Sequence, residues 1–208
     1  MRSRRVLNGL HGMYARALYR AVGLNDADLR KPLIGIVNSW SALVPGHVHL
    51  RELAQIACEG VRQAGGTPLE INTVAACDGI AQGAGMHYIL PLREIVAASI
   101  ELTVQAHQLD AMVCLCSCDK IVPGMLMAAA RLDIPTIFVT GGVMEPYPVN
   151  DGNWLVASDV KEAIGRFNAG EIDTEALHII EACMCNNCGA CNMMGTAVTM
   201  CVIAEALG

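Results

Sequence analysis

Between residues 114 and 124 the chain reads Cys114-Leu-Cys-Ser-Cys-Asp-Lys-Ile-Val-Pro-Gly124, which sets three thiols, a carboxylate and an amine side by side. Thiolates are soft ligands suited to zinc or iron–sulfur clusters, whereas carboxylates suit hard cations such as Mg²⁺. A second group, Cys183-Met-Cys-Asn-Asn-Cys-Gly-Ala-Cys191, carries the spacing Cys185-x-x-Cys188-x-x-Cys191. That spacing fits a zinc knuckle or an iron–sulfur cluster. Zinc normally requires a second Cys-x-x-Cys or a His pair, and Cys116-x-Cys118 matches this poorly. Two thiol groups far apart in sequence favour one shared iron–sulfur cluster, with zinc and redox-active thiols as the alternatives.

Asp119 and Lys120 add what a purely structural cluster does not need. With Asp78 from a neighbouring loop, Asp119 can hold a harder cation such as Mg²⁺. Lys120 would repel that cation unless neutralised or carbamylated. An Asp-Lys pair is ordinarily a solvated turn, but the place of this one, directly after an apolar run, argues for a site. His47 and His49 flank a helix start. Such residues usually cap or pack, and contact with a substrate or metal is the second reading. Met125, Met127, Met193 and Met194 read as core, as do the thiols of Cys58 and Cys201.

The elements that must position these groups follow from periodicity. Short apolar runs at 33–38, 67–73, 111–116 and 136–139 read as buried strands. Helical patterns fall at 11–22, 49–63, 92–108, 125–131, 158–168, 174–181 and 196–207, with Gly65-Gly66 closing the second. Strands alternating with helices predict an α/β fold, a three-layer domain whose mostly parallel sheet is flanked by helices. Ligands of such sheets bind beyond the carboxyl ends of the strands. The 39–47 loop, the Cys77-Asp78 loop, the Cys118-Asp119-Lys120 loop and Gly141-Gly142 all fall there, so four loops are expected to meet at one crevice. Residues 145–168 are looser, marked by Pro146, Pro148 and Gly152.

Composition limits the alternatives. The 208 residues are 53% apolar and 4% aromatic, typical of a folded globular chain. No apolar run approaches the roughly 20 residues of a membrane span, so no membrane association is expected. A net charge of −6 leaves no basic stripe for a nucleic acid. Arg2, Arg4 and Arg5 precede the first acidic residue, but no apolar signal core follows. Seven of the ten cysteines fall in two clusters, which points to a reducing, cytoplasmic setting rather than to a disulfide scaffold.

Four motifs together carry a family resemblance: Pro45-Gly-His-Val-His-Leu-Arg, Cys77-Asp-Gly-Ile-Ala, Cys118-Asp-Lys-Ile-Val-Pro-Gly-Met and Gly189-Ala-Cys191-Asn-Met-Met-Gly-Thr-Ala. In order and spacing the chain resembles the dihydroxy-acid dehydratase and sugar-acid dehydratase (IlvD/Edd) family along its whole length. It corresponds to the N-terminal portion of a typical member, so residues 1–208 are expected to be an incomplete, iron–sulfur- and Mg²⁺-binding domain.

The resemblance implies Cys118 and Cys191 as iron–sulfur ligands. It implies Asp78, Asp119 and a carbamylated Lys120 as Mg²⁺ ligands, carbamylation turning the awkward ammonium into a carboxylate. It further implies a hydro-lyase that converts a 2,3-dihydroxy carboxylic acid to a 2-keto acid in valine and isoleucine synthesis. An aldonic acid is the alternative substrate, and a non-catalytic iron–sulfur or zinc-binding fragment the alternative role. A homodimer or higher oligomer is expected of the full-length form.

Two departures matter. Members with a [2Fe-2S] cluster have a Cys where this chain has Gly46, which leaves Cys77 and Cys188 as candidates for the third ligand and a [4Fe-4S] cluster as an option. The family's base, a serine alkoxide, and a further Mg²⁺-binding Glu belong to the C-terminal part of family members, so no catalytic base is expected in this stretch.

Overall fold

The computed structural model describes residues 1–149 and 152–207. Residues 150 and 151, within the loosened 145–168 stretch, and Gly208 lie outside it. Its elements in chain order are α1 (Arg4–Leu7), α2 (Met13–Ala21), β1 (Leu33–Asn38), α3 (Leu50–Gln63), β2 (Thr67–Asn72), α4 (Ile89–His107), β3 (Ala111–Cys116) and α5 (Ile121–Leu132). There follow β4 (Thr136–Thr140), the two-residue strands β5 (Tyr147–Pro148) and β6 (Trp154–Leu155), α6 (Asp159–Asn168), α7 (Thr174–Cys183) and α8 (Thr196–Leu207).

β1 to β4 form one parallel sheet in the order β2-β1-β3-β4. Side chains alternate between its faces. Leu33, Val37, Met112, Cys114 and Cys116 point towards Val96, Ile100 and Val104 of α4 and Ile121, Val122 and Met125 of α5. Ile36 and Leu115 point the other way, onto Ala54 of α3. The result is the expected three layers. Each fully buried Val, Leu, Ile or Met stabilises the fold by roughly 1.5–3 kcal/mol relative to exposure. Strand order reverses direction between β1 and β3, and the covering helix changes face with it. Such a switch point is where open α/β sheets place ligands.

The sequence-based bounds of β1, β3 and α8 match the structure, the other expected strands and helices differ at their ends by up to four residues, and α1, β5 and β6 are additional to those expected. The largest difference is α5. Pro123-Gly124 suggests a start at Met125, but the helix begins at Ile121 with Lys120 as its N-cap. Proline fits a first turn, where no N–H partner is needed. Gly124 is a packing glycine, since a Cβ there would lie 2.9 Å from both Arg93 O and Val96 Cβ of α4. The thiol loop is therefore only the four residues from Ser117 to Lys120. Met193 and Met194 are 39% and 76% exposed, a correction to their reading as core, while Met125 is fully buried. Cys58 and Cys201 are half-buried and pack against the core.

An unforeseen tie anchors the N-terminus. Asp110, just before β3, accepts from the Ser3 N–H at 3.0 Å, the Ser3 hydroxyl at 2.6 Å and the Leu33 N–H at 2.9 Å. Among the described residues no helix is long and apolar enough to cross a membrane.

Candidate metal and cluster centre

β3 is fully buried over its last three residues, which deliver Ser117 and Cys118 to the carboxyl edge of the sheet. Cys114 and Cys116 stay in the strand facing the core, where burial raises the Cys114 thiol to about 12. Cys118 adopts φ +23°, a left-handed conformation rare for a residue with a side chain. Such strain, on the order of 1–3 kcal/mol, collects at functional sites. The Val122 N–H donates to Cys118 O at 3.3 Å, which ties the loop to the first turn of α5.

Two other loops meet this one. Lys120 Nζ donates to Asp78 Oδ2 at 2.6 Å across the gap between the β2 and β3 loops, both side chains being mostly buried. Asp78 Oδ1 is also buried and has no partner. Asp119 lies close by: burial raises its carboxyl pKa, Asp78 raises it further and Lys120 opposes both. Gly46, after β1, sits directly against Cys118, since a Cβ there would stand 3.0 Å from Cys118 Sγ and 3.0 Å from Ser117 Oγ. His47 Nδ1 donates to Ser39 O at 2.7 Å, and His49 Nε2 donates to Gly141 O at 2.7 Å. Both histidines therefore pack against backbone, and the four loops do converge.

A fifth segment joins them. The N–H groups of Gly189 and Ala190 donate to Pro45 O at 3.2 Å and Gly142 O at 2.8 Å, and Met144 N–H donates to Ala190 O at 2.8 Å. Gly189 has φ +147°, and a Cβ there would lie 2.6 Å from Met144 N, so only glycine fits this close approach. Asn192 locks the same segment by accepting from Ala157 N–H at 2.7 Å and donating to the carbonyls of Glu145 and Met184. Sequence reasoning passed over Asn192; only a buried polar residue next to a candidate ligand could have signalled it.

This stitching carries Cys191 to Cys118. Burial pushes the Cys118 thiol well up, and Cys77, Cys191, Asp119 and Asp78 add to it in that order. Burial also raises Cys191, followed by Cys77, Asp119 and Cys185. The Cys185 thiol is raised by burial and then by Cys77. Cys77 is therefore common to all three, whereas Cys188 is exposed. Raised thiols are protonated, so loading a metal here must release protons.

Among the described residues no three His, Cys, Asp or Glu side chains converge closely enough to hold a single metal ion. A cluster differs from a single ion in that it bridges thiols standing well apart. The Asp78, Asp119 and Lys120 group offers two carboxylates and an amine. The orphaned Asp78 Oδ1 and the narrow gap beside Cys118 Sγ, which a Cβ at position 46 would fill, fit these two groups.

The N-terminal family model for dihydroxy-acid/6-phosphogluconate dehydratases matches residues 31–208. The chain is 50% identical over 209 residues to a dihydroxy-acid dehydratase of Pyrococcus abyssi, covering 100% of this chain and 38% of that protein. It is likewise 50% identical to dihydroxy-acid dehydratases of Aquifex aeolicus and Desulfitobacterium hafniense, covering 100% of this chain and 37% of each. It thus spans well under half the length of these curated relatives.

Proposed function

The chain belongs to the dihydroxy-acid/6-phosphogluconate dehydratase family, and from that premise we propose that residues 1–208 are the metal- and cluster-binding domain of a cytoplasmic hydro-lyase. Its reaction is the conversion of a 2,3-dihydroxy carboxylic acid to a 2-keto acid, with the dihydroxy acid of valine and isoleucine synthesis as substrate. The names of the similar proteins favour this substrate over an aldonic acid. One observation carries the reading: Lys120 meets Asp78 at 2.6 Å beside the strained, buried Cys118.

Cys118 and Cys191 would hold an iron–sulfur cluster, with Cys77 the better third ligand because it acts on both. Asp78, Asp119 and carbamylated Lys120 would hold Mg²⁺. When bound, these groups supply Lewis acidity at the leaving 3-hydroxyl and acidify the α-proton. The protein's own part is preparation. The contact between Lys120 Nζ and Asp78 Oδ2 at 2.6 Å aims the amine at the carboxylates. Carbamylation proceeds through the neutral amine, so conversion of the paired ammonium and CO₂ to the carbamate anion releases two protons and gives up the ion pair with Asp78. β3 and the 189–192 segment fix the thiols, and burial excludes water from Cys118. The full-length form is proposed to be a homo-oligomer.

Anaerobic reconstitution with iron and sulfide, followed by metal analysis and EPR, tests the centre. Stoichiometric zinc without iron would overturn it in favour of a zinc-binding fragment. Assay of 2,3-dihydroxyisovalerate against a panel of aldonates, in a form with the relatives' full length, tests the substrate. Faster turnover of an aldonate would overturn that choice.

A further inference from the structure

Ser117 separates the last strand residue, Cys116, from Cys118. Its side chain is fully buried, and its hydroxyl has no hydrogen-bond partner in the protein. Leaving a buried hydroxyl unpaired is unfavourable. The strand-end carbonyl Leu115 O already accepts from the hydroxyl of Ser39 at 2.8 Å. A side chain at position 46 would have stood 3.0 Å from Ser117 Oγ, 3.0 Å from Cys118 Sγ and 3.2 Å from Gly189 O. Hydroxyl and thiol therefore border one narrow gap, which a Cβ at position 46 would fill.

We propose that the Ser117 hydroxyl donates a hydrogen bond to a sulfur of the cluster at this space, either Cys118 Sγ or a sulfide next to it. Ser117 thereby acts as a positioning residue that sets the electron density on that sulfur. The proposal rests on the iron–sulfur reading above. Its logic lies in the acceptor. A protonated thiol accepts hydrogen bonds weakly, whereas a metal-bound thiolate carries charge and accepts well. The donor that stands unpaired beside the thiol is matched once Cys118 is a ligand. β3 holds the backbone of Ser117 on one side and the Cys118 turn holds it on the other, so the hydroxyl needs no rearrangement to meet a sulfur there. Hydrogen bonds to cluster sulfurs raise the reduction potential by stabilising the more negative, reduced state.

The test uses the anaerobically reconstituted chain and its Ser117→Ala variant, with iron and sulfide quantified in each. Potentials come from EPR-monitored redox titration. Exchangeable protons coupled to the cluster come from ENDOR after brief exposure to D₂O, in which a hydroxyl exchanges ahead of hydrogen-bonded amides. The expected result is equal iron and sulfide, a lower potential in Ser117→Ala, and a fast-exchanging proton coupling that is present only in the unmodified chain. Equal loading with unchanged potential and unchanged proton spectra would overturn the role of Ser117 and leave the cluster assignment standing. Zinc or no iron in the unmodified chain would overturn both together. If Ser117→Ala loads no cluster, the unmodified chain decides: its fast-exchanging coupling supports the proposal, and the absence of that coupling overturns it.

Discussion

His47 is fully enclosed, with Nδ1 donating to Ser39 O and Nε2 unpaired. Burial lowers its pKa from 6.5 to about 4; the bond to Ser39 opposes the shift and His49 reinforces it. The folded state therefore keeps the ring neutral where the unfolded chain protonates it. Between pH 6.5 and 4 the unfolded state binds more protons, so stability falls as pH falls through that window. The loss is at most about 3 kcal/mol. Urea midpoints at pH 7 and pH 4.5 should differ less in His47→Gln than in the unmodified chain; an equal drop in both would reject the assignment. Lys120 makes a second prediction at this scale. Lys120→Arg can keep the ion pair with Asp78 but cannot form a carbamate. It should melt like the unmodified chain and bind Mg²⁺ at least ten-fold more weakly by calorimetry, and unchanged affinity would remove carbamylation from the site. The sequence pointed to Cys118, Asp119 and Lys120 because a dense run of ligand types is visible without a structure. It could not rank Cys77 above Cys188, or show Ser117 and His47 unpaired, because those facts depend on how separate loops meet.

At the scale of elements, short apolar runs located all four strands of the main sheet, because strands of a sheet covered on both faces are apolar on both. Helix ends were harder to read. Pro123-Gly124 reads as a break in sequence, yet the proline needs no partner in the first turn and the glycine admits α4. Gly124→Ala tests that account. On an isolated helix the change should stabilise by about 1 kcal/mol. Here the added Cβ would press on Arg93 O and Val96 at 2.9 Å, and overpacking costs typically 1–3 kcal/mol. A net loss of about 1 kcal/mol or more in urea denaturation is expected, and a gain would show that α4 and α5 part freely. The Ser3–Asp110 tie was equally hidden, since a lone aspartate before a strand carries no sequence mark of its distant partner.

Across the whole molecule, the candidate ligands come from loops after β2 and β3 and from the segment between α7 and α8. Backbone hydrogen bonds around Gly189 and the side chains of Asn187 and Asn192 hold the last of these in place. A cluster bound to Cys118 and Cys191 would clamp segments far apart in sequence, and a ligand that binds only the folded state stabilises it. Loading should therefore raise the thermal midpoint by on the order of 10 °C, given the few degrees per kcal/mol usual for chains of this size. The effect should be local as well as global. Hydrogen exchange should slow most in residues 117–120 and 185–192, where the clamp acts, and least in α2, which has no buried residue and carries no candidate ligand. Gly189→Ala should weaken this response, because its Cβ would press on Met144 N at 2.6 Å and lift Cys191 from the crevice. A loaded chain with no added protection at 185–192 would mean that this segment contributes no ligand, and would leave Cys118 and Cys77 to hold any metal without it.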